Sequence, residues 1–222
     1  MAKNKDIQFI LTVADHEPLG MVKRCVDSIK AHYEGSIILT IADGEIAKDV
    51  VDFCRANTVF FQSEHLKRKQ RDLGAAWWER FFLLSRIYKT KWVVKIDADT
   101  IVHGKISYFP AVAMFGTVLE KGFINEHVIG GFQFILSNSI ALILHSGLCT
   151  GEALKGLEWM QGTVGQDYID RGELSTDHSL MFMLRKLNLQ WASHREICIT
   201  SSEFDLSTLQ SWMKATHKHK FW

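Results

Sequence analysis

The sequence predicts an α/β fold, a mostly parallel central sheet flanked by helices. Two observations predict it. Between Ile7 and Phe61, apolar β-branched runs alternate with segments whose apolar residues recur at helical spacing, and that β-α-β-α-β order makes the strands parallel. The composition supplies the core such a sheet needs: 47% of the 222 residues are hydrophobic and 23% charged, close to the globular average. The length suits a single domain over 1–222.

The elements follow in order. Ile7 to Ala14 (IQFILTVA) reads as a buried strand ended by Asp15-His16-Glu17-Pro18. Gly20 to His32 places Met21, Val22, Cys25, Val26 and Ile29 on one helical face. Ser36 to Ala42 is a second strand, stopped by Asp43-Gly44; Ile46 to Ala56 is a second helix and Thr58 to Phe61 a third strand. A basic stretch follows, and Gly74 opens a helix from Ala75 to Tyr88, with Trp77, Phe81, Leu84 and Tyr88 at helical spacing and Trp78 and Phe82 widening the face. Trp92 to Ile96 is a strand that runs directly into Asp97-Ala98-Asp99. In the second half, Val128 to Leu136 reads as a strand with a Gly-Gly break, and Asn138 to Ser146 as a helix. A polar connection, 147–172, carries a helical piece from Ala153 to Met160. Asp177 to Leu187 is a helix capped by Ser175 or Thr176, Ile197 to Ser201 a last strand, and Ala215 to Trp222 a basic tail ending in two aromatics.

Charge and cysteine usage remove several classes. With 26 Lys and Arg against 25 Asp and Glu, the net charge of +1 is low for a protein that grips duplex DNA by its phosphates, so nucleic acid is not favoured as a partner. Cys25, Cys54, Cys149 and Cys198 form no CxxC pair, which argues against a zinc ribbon or a disulfide scaffold. The first apolar run is too short for a membrane span and lacks a signal-peptide pattern; the expectation is a cytoplasmic protein with no transmembrane segment.

The sharpest feature is WVVKIDADTIV. Alternate strand positions point the same way, so Asp97 and Asp99 are expected to face one spot at the C-terminal edge of a parallel sheet, where open α/β folds place ligands. Two carboxylates so close repel unless a cation lies between them. Mg2+ or Mn2+ would satisfy both and leave positions for diphosphate oxygens. The bland reading of a bare DxD is an acidic turn after a strand.

In its order of motifs the chain resembles small GT-A glycosyltransferases, the Rossmann-like, DxD-containing enzymes that use nucleotide-sugar donors. The resemblance covers most of the length. It implies a nucleotide-binding half, 1–102, and an acceptor-side half with a C-terminal metal and phosphate tail, 103–222. Ala14 and Asp15 end the strand that meets the nucleobase, and Asp43 in ILTIADG is the acid that reads it. Arg71 and Gly74 in RDLGAAW stand at the helix entry beside the diphosphate. Asp97, Ala98 and Asp99 are the DxD, and Gly130 and Gly131 in IGGFQFILS line the acceptor side. STDHSLMFML resembles the helix start that carries the base of inverting members, which makes Asp177 the candidate catalytic base, with Asp167 and Asp170 next. The His-x-His-Lys tail resembles the C-terminal metal histidine and phosphate-binding lysine, so His217 or His219 would be the third metal ligand and Lys220, with Lys218, would neutralise the departing phosphate. Thr176 stands where inverting relatives often have a second acid. The implied activity is transfer of a hexosyl or pentosyl group from a nucleoside-diphosphate sugar, a UDP-sugar first, to an acceptor hydroxyl, with inversion.

Each of these residues also has a plain structural reading. Asp177 caps a helix. The cluster Lys67 to Arg71 is a solvated loop from which one of Arg68, Lys69 and Arg71 would reach the diphosphate. Trp77 and Trp78 are core, or one of them lines a sugar. Gly130 and Gly131 form a bulge, or clear space for the donor sugar. The other histidines show no metal spacing, and His178 stands out only as the neighbour of Asp177.

Three rival functions share the DxD or the half-fold. A phosphohydrolase of the haloacid dehalogenase type usually carries its motif near the N-terminus with a later acidic pair, and no Asp-Asp pair occurs here. A sugar nucleotidyltransferase would show a glycine-rich loop after the first strand, where this chain has Asp15-His16-Glu17-Pro18-Leu19-Gly20. An inactive sugar-binding module would keep the fold without the chemistry.

Overall fold

All eight residues of the first strand, Ile7–Ala14, are buried, because β1 lies inside a sheet with helices on both faces. The computed structural model describes residues 4–63, 71–118, 131–150, 153, 176–199, 211 and 213–217. After a short 3-10 turn at Asn4–Asp6, the order is β1, α1 (Leu19–His32), β2 (Ile37–Asp43), α2 (Lys48–Asn57), β3 (Val59–Ser63), α3 (Arg71–Ser85) and β4 (Trp92–Asp97). Then follow β5 (Ile101–Val102), β6 (Met114–Val118), β7 (Phe132–Leu136), α4 (Ser137–His145), α5 (Thr176–Lys186), β8 (Trp191–Ile199) and β9 (Ala215–His217).

The described strands form one mixed, mostly parallel sheet in the order β3-β2-β1-β4-β7-β6-β8-β9-β5. β3, β2, β1 and β4 are mutually parallel, as the βαβ order requires. β7 runs antiparallel to β4 and to β6, and β5 antiparallel to β9. β5 begins four residues after β4 ends, yet it occupies the opposite end of the strand order. The sheet is therefore curled, so that its far edge returns to the C-terminal end of β4. A hydrogen bond from the Val102 N–H to the Ser28 hydroxyl on α1 (3.0 Å) fixes that return.

Alternation along the strands divides two cores. Phe9, Leu11, Val13, Val94 and Ile96 pack under α1 and α2 against Val22, Val26, Ile29 and Val50. Ile10, Leu39, Ile41 and Val93 face the other way, onto Trp77, Trp78, Phe81 and Phe82 of α3 and Leu180 to Leu184 of α5. Trp78 stands edge-on to Trp77 (4.8 Å) and stacks on Phe82 (5.1 Å), so both tryptophans are core side chains. Each such large side chain contributes about 2–3 kcal/mol by leaving water.

The expected elements recur with shifted ends. α3 starts at Arg71 and stops at Ser85, so Gly74 sits inside the helix rather than opening it. α5 starts at Thr176, which is therefore a helical residue and not the cap. β7 starts at Phe132, with Gly131 just ahead of it rather than within the strand, while 119–130 lie outside the described residues, as do most of the expected helical piece at Ala153 to Met160 and Ser175. Of the expected last strand, Ile197 to Ser201, the described part, Ile197 to Ile199, is the end of a longer one: β8 starts at Trp191, and its inward polar residues His194 and Glu196 mask its periodicity. β5, β6 and β9 add strands that the sequence pattern does not announce; β6 is interrupted by Gly116, where its register with β8 shifts.

His194 and Glu196 are buried because they satisfy each other's surroundings. His194 Nε2 donates to the Tyr108 carbonyl (3.1 Å) and Nδ1 accepts from the Glu196 N–H (3.3 Å), which describes a neutral imidazole. Its ring stacks on Tyr108 at 4.3 Å. The Glu196 carboxylate accepts from the N–H of Ser107 (2.8 Å) and from its hydroxyl, pinning the 103–109 connection to β8. Burial holds the His194 pKa below its ordinary 6.5; the Tyr108 carbonyl and Glu196 oppose this, and Arg195 adds to it. The unfolded chain therefore takes up a proton near pH 6.5 that the folded chain refuses, and this contribution to stability is lost as pH falls below that value. The urea midpoint is expected to drop between pH 7.5 and pH 5.5, and to drop less in His194→Gln.

Candidate active site

The C-terminal ends of β2, β1 and β4 bring the sequence-predicted acids to one edge. Ala14 lies beside Asp43 in register, and Asp43 beside Ser63 at the end of β3. Thr12 lies beside Asp97. β1 ends because Glu17 folds back, its carboxylate accepting the Ala14 N–H (2.8 Å). Asp15, in the turn between them, is solvent-exposed next to His16 (3.3 Å). Asp43 is fully buried; the positive φ of Gly44 (99°) turns the chain away directly behind it, and the Gly44 N–H donates to the Ser63 carbonyl (3.0 Å).

The DxD is built differently from the alternation expected of it. β4 ends at Asp97, and Ala98-Asp99 form a turn closed by the Thr100 N–H donating to the Asp97 carbonyl (3.0 Å). Asp99 thus follows the strand rather than continuing it, and the two acids are related by a turn, not by the strand's two-residue period. Between them Ala98 is buried in the core under α1. Gly131 clamps this turn from β7: its carbonyl accepts from the Asp97 N–H (2.8 Å) and the Thr100 hydroxyl (3.2 Å). That is a backbone role, distinct from both readings of the glycine pair as bulge or sugar clearance.

The counter-charge of Asp97 comes from within the strand. Lys95, two residues earlier and on the same face, is 3% exposed, and its Nζ lies 2.9 Å from Asp97 Oδ1. The Thr12 hydroxyl donates to the same oxygen at 3.4 Å. The Asp97 side chain keeps 29% of its surface exposed, so it faces solvent on one side and the ammonium on the other. On the other face of the turn lies the Cys25 thiol of α1, donating to the Asp97 carbonyl (3.7 Å). Its pKa is pushed well up, first by burial and then by the negative charges of Asp99, Glu17 and Asp97. Three carboxylates therefore lie near one buried thiol.

The returning edge of the sheet meets this place. Ile101 pairs with Thr216 and Val102 with Ala215 in antiparallel register. The next step along that register sets the His217 backbone opposite Thr100, directly after Asp99. The His217 side chain lies outside the described part, and so do His219 and Lys220. Asp177 is the second residue of α5, in its first turn; its side chain is outside the described part, as is that of Arg71, and Gly130 lies outside it altogether. Asp167, Asp170, Arg68 and Lys69 fall outside it altogether. Among the described residues, no group of three His, Cys, Asp or Glu side chains is assembled to hold a metal.

Sequence reasoning missed Lys95, Glu17, Thr12 and Arg80, the last donating from α3 to the Ser63 hydroxyl at the end of β3. Lys95 carried a signal: a charged residue inside an otherwise apolar strand must find a partner, and an acid two positions on is on the same face. A mutant cycle measures that pair. Asp97→Asn strands a buried ammonium and is expected to lower the unfolding free energy in urea by about 2–4 kcal/mol; Lys95→Met is expected to cost about 1–2 kcal/mol, because Asp97 can turn to water. The double variant is expected to recover part of the sum, and strict additivity would show that the pair is not coupled.

No family model matches the chain, and no curated protein matches it significantly.

Proposed function

We propose that this chain is a metal-dependent glycosyltransferase of the GT-A type, which moves a sugar from a nucleoside-diphosphate sugar to an acceptor hydroxyl. The observation that carries the reading is the acidic edge itself: Asp43 and Asp97 end the two parallel strands that flank β1, and Asp99 follows in a turn clamped by Gly131. Open α/β sheets bind nucleotides at such an edge.

Asp97 and Asp99 supply hard oxygen donors, the type that Mg2+ and Mn2+ take, so the residues present fit a divalent ion. Bound there, such an ion would neutralise the diphosphate leaving group. His217 is the third donor of this reading, supported by the backbone register that brings it beside Thr100. The chain's own groups do the rest. Ala14 and Asp43 border the place for the base, with Asp43 held rigidly by burial. Lys95 fixes the Asp97 carboxylate from behind and offsets part of the charge that the edge would otherwise concentrate. Asp177, in the first turn of α5, would take the acceptor proton in an inverting transfer. Arg71, Gly74, Gly131, Lys220 and His219 complete the set, with Lys220 assigned to the leaving phosphate.

Thermal melting in Mn2+ with UDP tests the reading. A ligand at 100-fold its Kd adds about 2.7 kcal/mol to the folded state, a rise of several degrees in Tm. Asp99→Ala is expected to keep the melting temperature of the unliganded protein and to lose this rise. If the variant responds as the parent does, the metal assignment fails. Mn2+-dependent hydrolysis of a UDP-sugar separates an enzyme from an inactive sugar-binding module.

A further inference from the structure

Away from the acidic edge, the end of α3 and the side of α4 form a surface of a different kind. Leu83, Ile87 and Leu142 are 55%, 50% and 53% exposed, three of the five large hydrophobic side chains exposed among the described residues. They do not lie at random. Leu83 lies in the last turn of α3, Arg86 and Ile87 follow it with their N–H groups on the Leu83 and Leu84 carbonyls, and Asn138, Ala141, Leu142 and His145 fall on one stripe of α4. Between the two runs a groove of about 400 Å3 is lined by Arg86, Lys89, Thr90, Ser137, Asn138 and Ala141, among others. The aliphatic tips thus flank a groove whose walls carry cations.

The charge is mainly positive, with Glu79 one turn before Leu83 on α3 as the acid beside it. No acid occurs from Arg80 to Ile96 or from Gly131 to Thr150, while Arg86, Lys89 and Lys91 fall in the first of these segments. Arg86 and Lys89 make no ion pair among the described residues. The first turn of α4 has no side-chain cap, and its first amide, at Ser137, donates to the Lys91 carbonyl (3.1 Å). Thr90, only 9% exposed, has a hydroxyl with no hydrogen-bond partner among the described residues. Exposed cations suit a phosphate ester, and aliphatic side chains around them suit the hydrocarbon beneath such an ester.

We propose that this α3–α4 face docks on an anionic lipid bilayer, with Leu83, Ile87 and Leu142 entering the headgroup boundary and Arg86 and Lys89 meeting lipid phosphates. It goes beyond the transferase reading and does not depend on it. The face lies at the entry end of β4, since Lys91 leads into that strand and the start of α4 follows Leu136, the partner of Trp92. The acidic edge lies at the other end of β4, roughly 20 Å away for six residues of strand. Docking therefore leaves the edge open to water.

Flotation of the full chain with vesicles tests this, using phosphatidylcholine alone and phosphatidylcholine with 30% phosphatidylglycerol, without any nucleotide. Binding is expected to the anionic vesicles, to weaken in 0.5 M NaCl, and to fall by more than about tenfold in Arg86→Glu/Lys89→Glu. Leu83→Ser/Leu142→Ser is expected to lower binding without removing the salt dependence. All four positions are on the surface, and equal melting temperatures will show that the variants fold. No binding to anionic vesicles, or equal binding by parent and charge-reversed variant, overturns the proposal. So does a dimer in light scattering that Leu83→Ser/Leu142→Ser converts to monomer, since the face would then bind a second copy.

Discussion

An ammonium group that is almost wholly out of water needs a carboxylate within reach, and at the end of the central strand that need fixes Asp97. Asp97 offsets the charge of the buried Lys95, and Lys95 in turn offsets Asp97 at a crowded acidic edge. The pair sits where β1, β4 and β7 meet, with Thr12 from one neighbour and the Gly131 carbonyl from the other side. Everything proposed for the site presumes that this corner is rigid. A turn of Ala98-Asp99 hung on a mobile strand end would hold neither ion nor phosphate, whereas here three hydrogen bonds and a buried alanine hold it. The result is an edge arranged in advance of any ligand, which is what electrostatic catalysis requires.

Much of the fold was legible because the first half obeys simple periodicities. β1, β2 and β4 are buried on both faces and read as mostly apolar runs; α1 and α2 read as amphipathic stripes. The second half was harder for a physical reason. In β8 the inward positions include His194 and Glu196, whose burial is made tolerable by Tyr108 and Ser107, residues far off in sequence. A pattern method cannot see a partner that only the fold supplies. β5 and β9 are too short for any period, and they exist because the curled sheet gives them each other.

The site was legible in its acids and not in its supports. Asp43 and Asp97 stand at the strand ends where the sequence reading put them, while the side chain of His217 lies outside the described residues. The two-residue alternation behind the DxD was the wrong mechanism, since the strand stops one acid early. Glu17 entered the site through a back-folded turn, and Arg80 through a helix packed across the strand ends; neither has a local signature. Lys95 alone could have been found, by asking what neutralises a charge inside WVVKI.

The pairing of β5 with β9 also has a bearing on how the molecule comes into being. His103 and Thr216, joined by an imidazole–hydroxyl hydrogen bond, are 113 residues apart. While the chain is being made, β1, β2 and β4 can assemble early from local crossovers, but the segment following Asp99 waits for its ladder until β9 has emerged. Closing so long a loop comes late and is entropically costly. A nascent chain would therefore own its parallel half-sheet well before it owned a finished acidic turn, and that turn's surroundings would be completed by β9 rather than grow with the fold.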